Sequence, residues 1–396
     1  MKRPMRRVVI ASRLYAPEVG AAAFRLRALA NGLVREGAAV TVVTTTPPTG
    51  SARAPHDRGV RVSRFPVLRD AGGNVRGYIQ YLSFDIPLFF RLLFTRADLV
   101  VSEPPPTTGL VVAVTSWLRR RPYAYYAADV WTDGLVALGA PAPLIGIMRA
   151  VEGFVLRHAS AVVAVSDEVA DKVVSFGTSR GTVGVVGNGV DTDTFTPDGP
   201  SSERTRPTFV YTGAMSEWQR PSVFVEALPR VREVFPDASI RFFGQGVEEP
   251  HLRETARRLG LDSVHFGGVI PPAETAGWIR GATAALASIS PGAGYDFAKP
   301  TKTYAAAACG VPVVFAGQGA GAALVADNGL GWRCGHDPQS VADAMIAAAN
   351  AQADGTTAAQ RDRRAAWARE NASIAAAGSR AAEAILAVVS PAASAR

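Results

Sequence analysis

The sequence predicts an α/β protein with two domains, each built on a parallel sheet covered by helices. Short apolar, β-branched runs alternate with segments that carry apolar residues at helical spacing, and this alternation is typical of parallel sheets. The alternation stops at a polar stretch, 191–207, and then starts again. A chain of 396 residues is long enough for two domains of ordinary size, each with its own core.

The first domain is predicted to span residues 1–190. It begins with a strand at 7–12, a helix at 21–36 and a strand at 39–45. Further strands are predicted at 60–67, 99–103, 123–130, 161–166 and 183–186. Ligands of such sheets bind at the carboxyl ends of the strands, which directs attention to the loop at 104–108. The same rule points to three side chains at or just after the carboxyl end of the strand at 123–130, namely Asp129, Trp131 and Asp133.

A dinucleotide-binding site is excluded by the first loop and the second strand. The loop at 15–20 ends in Gly20, where the start of the helix could face a ligand. It holds one glycine where the dinucleotide fingerprint needs three. The second strand ends in Thr44, Thr45 and Thr46 without the acid that would bind a ribose. An NAD-dependent enzyme is therefore not predicted.

The second domain is predicted at 208–372, after a linker at 191–207. Its strands are predicted at 208–213, 239–244, 264–266, 284–289 and 311–315, with helices between them. The tail of the chain is rich in Ala and Arg. Its last segment, 373–396, is predicted to form a helix that packs back on the first domain.

The stretch 288–317 carries the clearest chemical signal, because a Gly- and Pro-rich loop leads into a helix and then a buried strand. Pro300 suits the start of a helix, where its missing N–H costs nothing. The free N–H groups of that first turn and the helix dipole favour an anion. Lys299 and Lys302 add full charges, and the chain has only four lysines. An ordinary crossover helix with two solvated lysines explains these residues equally well.

The net charge of +8 is concentrated in the first half of the chain. Residues 1–190 hold 23 Lys or Arg against 13 Asp or Glu, and the remainder holds 19 against 21. An excess of positive charge of this kind favours binding to nucleic acid, a membrane surface or an anionic substrate. Nothing resembling a nucleic-acid-binding module accompanies it, so nucleic acid is not a predicted partner.

Two segments could touch a membrane. Residues 79–96 are apolar and aromatic with basic residues at one end, and 117–121 combine Trp and Leu with three arginines. Core helices with solvated arginine ends are the alternative. The first 30 residues lack the pattern of a signal peptide, and no window holds 18 uncharged apolar residues. A cytoplasmic location is predicted, with peripheral membrane association left open.

The cysteines and histidines favour neither a disulfide framework nor a metal site. Cys309 and Cys334 are too few for disulfide cross-linking, and neither has a second ligand at metal-binding spacing. Small buried thiols in a reducing compartment account for them.

The order of motifs along both domains resembles a known family. NGVDTDTF lies at the join, and FFGQG, FGGVI and CGVPVV follow in the second domain. The first domain contributes SEPPPTTGL, YYAADVWTDGLVALG and AVVAVSDEVADKV. Together they resemble the retaining glycosyltransferases of the GT-B fold, family 4 (group 1). PPP, DVW and KPTKTY are most like the branch that makes surface polysaccharides and amino-sugar natural products.

The resemblance implies two Rossmann-like, doubly wound domains facing a central cleft. A nucleoside-diphosphate sugar would bind the second domain, and a small-molecule or lipid-linked acceptor the first. The sugar would pass, with its anomeric configuration retained, to a hydroxyl of a natural product or cell-envelope glycan. No metal and no cofactor beyond the nucleotide sugar is implied, since basic side chains and a helix N-terminus neutralise the diphosphate.

The resemblance also implies roles for individual residues. The diphosphate would contact Gly20, Gly213, Arg220, Lys299, Lys302 and Thr303. The base and ribose would contact Gly244, Val269, Ile270 and Tyr304. The acceptor would contact Trp131 and Asp129, and catalysis would involve Asp129, Asp133, Asp296 and Lys302.

One departure from the family pattern leaves alternatives to a glycosyltransferase open. Family members carry two glutamates eight residues apart, and their places are taken here by Phe297 and Ala305. Asp296 could replace the first, whereas Ala305 offers the ribose no acceptor. Loss of one such hydrogen bond costs about 0.5–1.5 kcal/mol, roughly tenfold in affinity at most. A non-catalytic binding or partner subunit stays open, and a GT-B sugar-nucleotide epimerase is a third alternative whose acid and base have no clear position.

Overall fold

The computed structural model describes residues 5–18, 20–48, 51, 57–70, 73, 75, 77–137, 139–202 and 206–389. The chain divides into two compact units. Unit 1 is Met1–Asn188 together with Ile374–Arg396, and unit 2 is Gly189–Ser373. Parts of three predicted segments lie outside the described residues: Val19, 203–205 and 390–396.

Unit 1 is built on a seven-stranded parallel sheet. Its strands are β1 (Arg7–Ala11), β2 (Ala39–Thr45), β3 (Val60–Phe65), β4 (Leu99–Ser102), β5 (Tyr123–Ala127), β6 (Ala161–Ala164) and β7 (Val183–Val185). They lie side by side in the order β3-β2-β1-β4-β5-β6-β7. Val9 of β1 pairs with Thr41 of β2 on one side and with Val100 of β4 on the other.

Helices cover both faces of this sheet. They are α1 (Ala21–Arg35), α2 (Tyr78–Phe94), α3 (Pro106–Leu118), α4 (Trp131–Ala137), α5 (Ala142–His158) and α6 (Asp167–Ser175), with a short 3-10 turn at Arg180–Thr182. Because side chains alternate along a strand, Ile10 packs with Leu26 of α1, whereas Val9 packs with Phe84 of α2 and Val112 of α3. None of the helices in the described ranges has the length and apolar character needed to span a bilayer.

Unit 2 repeats this plan with a six-stranded parallel sheet in the order β10-β9-β8-β11-β12-β13. Its strands are β8 (Thr208–Thr212), β9 (Ser239–Phe243), β10 (Val264–Phe266), β11 (Ala284–Ser288), β12 (Val313–Ala316) and β13 (Gly331–Cys334). Its helices are α7 (Ser222–Val234), α8 (Glu249–Arg258), α9 (Pro272–Arg280), α10 (Thr301–Ala308), α11 (Gly319–Asp327), α12 (Pro338–Ala353), α13 (Thr356–Ala359) and α14 (Arg361–Asn371).

In each sheet the strand order reverses at one point, between β1 and β4 in unit 1 and between β8 and β11 in unit 2. The loops that leave these neighbouring strands diverge to opposite faces, which opens a crevice at the carboxyl edge. In unit 1 these loops hold Gly20 and the 104–108 segment. In unit 2 they hold Gly213, Arg220 and Lys299. The topology therefore places most predicted ligand-binding residues at the two reversal points.

Two element predictions need correction. The strand predicted at 123–130 ends at Ala127, and α4 begins at Trp131, because the buried carboxylate of Glu152 accepts hydrogen bonds from the N–H groups of Trp131 (2.8 Å) and Thr132 (2.9 Å). β13 was not predicted, since its four residues begin with Gly331, include Arg333 and are followed by Gly335.

The end of the chain is shared between the units. Helix α14 packs on α10 in unit 2, and the last helix, α15 (Ile374–Ala387), packs on α1 in unit 1. The two helices of unit 1 approach closely because glycines meet there. A methyl group built on Gly378 of α15 would lie 2.5 Å from the carbonyl oxygen of Ala28 in α1.

The first part of the predicted linker lies on unit 2. The guanidinium of Arg280 donates to the carbonyl oxygen of Pro200 (2.8 Å) through Nε and to that of Thr196 (3.2 Å) through Nη1. The backbone N–H of Val190 donates to the carbonyl oxygen of Ala372 (2.9 Å). These hydrogen bonds hold the first and last segments of unit 2 against the rest of that unit.

We expect Gly378→Ala to lower the free energy of unfolding by about 1–3 kcal/mol, because the new methyl group meets helix backbone that cannot move aside. Gly146→Ala in α5 is the matched control, since no atom lies within 4 Å of the methyl group built there. That change should raise stability by roughly 0.5–1 kcal/mol. Urea unfolding curves measure both, and equal stability of the two variants would contradict the close packing of α1 and α15.

Candidate active site

The loops after β8 and β9 meet backbone to backbone at the carboxyl edge of unit 2. Gly213 donates its N–H to the carbonyl oxygen of Phe243 (2.8 Å), and Gly244 donates to that of Gly268 (2.7 Å). Gly244 has φ 129°, and a Cβ on it would lie 2.0 Å from the oxygen of Gly213. Only glycine fits here, so exposed backbone forms this part of the edge.

Lys302 lies in the first turn of α10 and is buried. Its ammonium nitrogen stands 3.4 Å from the centre of the Tyr211 ring and 3.3 Å from Oε1 of Gln219. The Tyr211 hydroxyl donates to the same oxygen (2.5 Å). Burial lowers the pKa of Lys302 well below its usual value, and no carboxylate among the described residues offsets this effect. The site thus holds a buried amine that an anionic ligand would favour in its charged form.

Buried hydroxyl groups surround this lysine's helix. Those of Thr303 in α10, Ser288 at the end of β11 and Ser216 after β8 have no hydrogen-bond partner among the described residues. Unpaired buried hydroxyls are uncommon in folded proteins. Three of them at one sheet edge favour a polar ligand at this place.

Arg220 and Lys299 lie on the two loops of the reversal point. Arg220 is exposed and has φ 43°, which is unusual for a residue other than glycine, and its N–H donates to the carbonyl oxygen of Ser216 (3.0 Å). Lys299 is half-buried and directly precedes Pro300, the N-cap residue of α10. The structure therefore brings all the predicted positive charges of the second domain to one edge.

The loop between β11 and α10 carries an aromatic stack where the family pattern has a carboxylate. Tyr295 stacks on Trp218 at 4.6 Å between ring centroids, and Phe297 follows at 6.0 Å from Tyr295. The carbonyl oxygen of Asp296 accepts from the N–H of Ala320 (2.7 Å) at the start of α11. The loop is thus held at two places, and the side chain of Asp296 is exposed.

The residues predicted for the base and ribose divide into two groups. The bond between Gly244 and Gly268 brings the exposed Val269 and half-buried Ile270 to the same edge. Tyr304, in contrast, is buried and stacks on Trp367 of α14 at 6.3 Å. Its ring contributes to the packing of α10 on α14.

In unit 1 the corresponding edge contains a buried ion pair that the sequence reasoning missed. Glu103 accepts from Ser12 Oγ (2.6 Å) through Oε1 and from Arg25 Nη2 (3.1 Å) through Oε2. The Arg25 guanidinium also lies 5.3 Å from the centre of the Tyr126 ring. The only signal in the sequence was an acid that ends a buried strand and an arginine on the apolar face of α1.

Asp129 stands beside this ion pair. The surrounding groups remove water from the carboxyl of Asp129, and this loss of hydration raises its pKa to about 6. The positive charge of Arg25 opposes the rise, whereas the negative charges of Glu152 and Glu103 add to it. The residue is itself exposed, so contact with water offsets part of the lost hydration. Asp129 therefore changes charge closer to neutral pH than an ordinary aspartate.

Trp131 and Asp133 begin α4 but have different surroundings. Trp131 makes an edge contact with Tyr81 of α2, at 5.8 Å between centroids, and the Arg13 guanidinium lies 4.0 Å from the centre of the Tyr81 ring. The carboxylate of Asp133 forms an ion pair with Lys172 of α6. The predicted acceptor edge thus presents aromatic surface, with Asp133 engaged in a side-chain pair.

Two further residues complete this edge. Gly20 precedes α1 in an extended conformation, with φ 174°, and its carbonyl oxygen accepts the N–H of Phe24 (3.1 Å). Asp85 of α2 was not predicted. It is buried, it accepts from Thr108 Oγ1 (2.6 Å), and burial raises its pKa. Its signal was a lone acid within an otherwise apolar helix.

Comparison with known families identifies the family of the chain. A sequence model of the glycosyl transferase 4-like domain matches residues 20–189, and one of the glycosyl transferases group 1 matches residues 206–351. The chain belongs to the group 1 glycosyltransferases. The resemblance to family 4 (group 1) that the motifs indicated is thereby confirmed at the level of the family.

Several relatives of this chain are known. D-inositol 3-phosphate glycosyltransferase 2 of Catenulispora acidiphila is 30% identical over 213 residues, which are 49% of this chain and 49% of that protein. The chain spans about half the length of the curated relatives it matches.

Solved structures share the fold of this chain along nearly its whole length. HepE of Anabaena in complex with UDP and glucose has a TM-score of 0.70 and 18% identity, over 96% of this chain and 98% of HepE. WaaG, a glycosyltransferase involved in lipopolysaccharide biosynthesis, has a TM-score of 0.72 and 16% identity, over 96% of this chain and 99% of WaaG. The predicted GT-B fold, with two parallel-sheet domains, is confirmed.

We expect Lys302→Met to remove a pH dependence of stability. The pKa of Lys302 is lowered in the folded protein from its ordinary 10.5, so the unfolded chain binds more protons and stability rises with pH between the two values. Between these two pKa values, the free energy of unfolding of the wild type should rise by up to about 1.4 kcal/mol per pH unit relative to that of the variant. Urea unfolding at pH 7, 8 and 9 measures the difference, and parallel stabilities of the two proteins would show that folding does not lower the pKa of Lys302.

Proposed function

We propose that this glycosyltransferase transfers a sugar from a nucleoside-diphosphate sugar with retention of anomeric configuration and without a metal. The observation that carries the proposal is the buried Lys302 in the first turn of α10, at the reversal point of unit 2, with no carboxylate partner among the described residues. A diphosphate would supply the missing counter-charge. Its developing charge in the transition state would be met by a fixed ammonium and by backbone N–H groups.

The donor is proposed to bind the carboxyl edge of unit 2. Lys302 and the Thr303 hydroxyl would contact the phosphates from α10, and Lys299 and Arg220 from the flanking loops. Gly213, which has no side chain, would let the phosphates approach the backbone. Val269 and Ile270 would border the base beside Gly244. HepE, whose structure has also been solved with UDP-glucose, supports UDP-sugars as the first donors to test.

The acceptor is proposed to bind unit 1, at the edge formed by Asp129 and Trp131. The ring of Trp131 offers an apolar surface to a sugar or aglycone face, and the carboxylate of Asp129 would accept a hydrogen bond from the attacking hydroxyl. The acceptor class we infer is a natural product or a cell-envelope glycan, either small or lipid-linked. Nucleotide sugars are made in the cytoplasm, so the proposed reaction takes place there.

The test of the reaction is a panel of UDP-, GDP- and dTDP-sugars incubated with the protein and EDTA, with candidate glycan acceptors. Release of nucleoside diphosphate and a product whose anomeric configuration, read by proton NMR, equals that of the donor are expected. An inverted product would refute retention. Activity that EDTA abolishes and Mg²⁺ restores would refute metal independence.

A non-catalytic role on the same fold is the second candidate, and Phe297 and Ala305 favour it. Phe297 extends the aromatic stack of Trp218 and Tyr295, and Ala305 is buried in α10, so neither place offers a carboxylate to a donor. This candidate predicts that nucleotides raise the melting temperature while no nucleoside diphosphate is released from any sugar nucleotide, with or without partner proteins.

We expect Lys302→Met to weaken UDP binding by 10- to 100-fold, because a hydrogen-bonded charge contributes about 1.5–3 kcal/mol. Lys172→Met is the matched control. It removes a lysine from unit 1, where that residue pairs with Asp133, and it should leave UDP affinity within twofold of the wild type. Isothermal titration calorimetry measures both. Equal affinity of wild type and Lys302→Met would place the diphosphate elsewhere.

We expect kcat/KM to fall as the pH drops through the raised pKa of Asp129, because only the ionised carboxylate accepts a bond from the acceptor hydroxyl. The direction follows from the sign of the shift, since an aspartate with pKa near 6 is protonated in mildly acid solution where an ordinary one is not. The Asp129→Asn variant should have a kcat/KM about 10- to 100-fold lower, and its kcat/KM should not show this fall at acid pH. Release of nucleoside diphosphate from pH 5 to 8 measures it, and an unchanged acid limb in the variant would contradict the role.

A further inference from the structure

Helix α2 in unit 1 is apolar on two opposite faces. Phe84, Leu88 and Leu92 are fully buried against the sheet. On the opposite side, five large apolar side chains spaced three or four residues apart are between 53% and 84% exposed: Ile79, Leu82, Ile86, Phe90 and Phe94. Surface helices of globular proteins normally present polar side chains outward. An uninterrupted exposed stripe of this length marks an interaction surface.

The end of α3 continues this stripe. Trp117 is 77% exposed and Leu118 is exposed beside it. The guanidinium of Arg121 holds the two helix ends together, because it donates to the carbonyl oxygens of Leu92 (2.9 Å) and Thr95 (3.0 Å) at the end of α2. Phe94 and Trp117 are exposed at these joined helix ends, and we call the stripe of α2 together with Trp117 and Leu118 the α2–α3 face.

The charge at this face has one sign. Arg96, Arg119 and Arg120 are exposed at the same helix ends. The nearest acid along the chain, Asp98, is bonded to Arg7 (3.1 Å), and Asp85 of α2 lies on the buried side. Exposed aromatic and aliphatic side chains next to exposed arginines match the two layers of a membrane interface, whose headgroups are anionic and whose acyl region is apolar.

We propose that the α2–α3 face docks unit 1 on an anionic lipid bilayer. The stripe of α2 lies in the interface plane, Phe94 and Trp117 enter the acyl boundary, and Arg96 and Arg119 contact the headgroups. A second copy of this chain fits the face less well, because a symmetric contact would leave clustered arginines without acidic partners. The inference uses residues of unit 1 alone and does not depend on donor binding by unit 2.

The same helix connects this face to the acceptor edge. Tyr81 of α2 contacts Trp131, and the carboxylate of Asp85 accepts from Thr108. A bilayer that binds one side of α2 thus brings lipid-held molecules to the unit that is proposed to bind the acceptor.

Vesicle sedimentation of the full chain tests the docking. With vesicles of phosphatidylcholine and 30% phosphatidylglycerol at low salt, we expect most of the protein to sediment, and much less with pure phosphatidylcholine or in 0.5 M NaCl. The double variant Phe94→Ser, Trp117→Ser should partition at least tenfold more weakly. Arg96→Ser, Arg119→Ser should lose the preference for anionic vesicles.

Matched controls lie in unit 2. Val247 and Arg258 are exposed there, so Val247→Ser and Arg258→Ser should sediment like the wild type. Thermal unfolding checks that every variant is folded, and UDP titration reports the donor site separately. Absence of sedimentation with anionic vesicles, or equal sedimentation of the Phe94, Trp117 variant, overturns the proposal. Concentration-dependent dimers that Phe94→Ser dissociates in analytical ultracentrifugation would assign the face to a second copy instead.

Discussion

Parallel strands all end at the same edge of a sheet, and this constraint determines where the chemistry of both units lies. Each sheet must be covered on two faces, so helices alternate sides and the loops separate where the strand order reverses. In unit 2 that place holds the buried amine of Lys302, the glycine contact of Gly213 with Gly244, and three buried hydroxyls that have no partner in the part of the chain that the structure describes. In unit 1 it holds the ion pair of Arg25 with Glu103 and the carboxylate of Asp129.

The lysine illustrates how a fold changes the chemistry of an ordinary side chain. An exposed ammonium would be hydrated and would gain little from a phosphate in water. Lys302 instead rests on the Tyr211 ring and on Gln219, which is itself held by the Tyr211 hydroxyl. Its hydration is already lost in the folded protein, so a bound anion restores interactions without a further desolvation cost to the lysine. The stability of unit 2 and its affinity for anions are therefore opposed at this residue.

Much of the architecture was predictable because apolar periodicity and strand length are local properties. All the named strands except β13, the two-domain division and Lys299 with Lys302 at a helix start follow from short stretches of chain. Other features depend on partners far apart in sequence. Glu103 meets Ser12 and Arg25 only after β1, β4 and α1 have assembled. Tyr304 faces Trp367, about sixty residues away, and no local pattern reveals that choice. The pairing of Asp133 with Lys172 was hidden for the same reason.

The last helix has a consequence for the order in which the protein is made. Helix α15 supplies Ala381 and Ile385 to the core of unit 1, and its Gly378 lies against α1. A ribosome therefore releases residues 1–188 long before their core can close, whereas unit 2 is contiguous and is complete once Ser373 has emerged. All residues of unit 2 are therefore synthesised before the last segment of unit 1, although most of unit 1 is made earlier. Until then one side of the first sheet, including the apolar face of α1, stays uncovered, and that interval is when nascent chains are most open to chaperones and to aggregation.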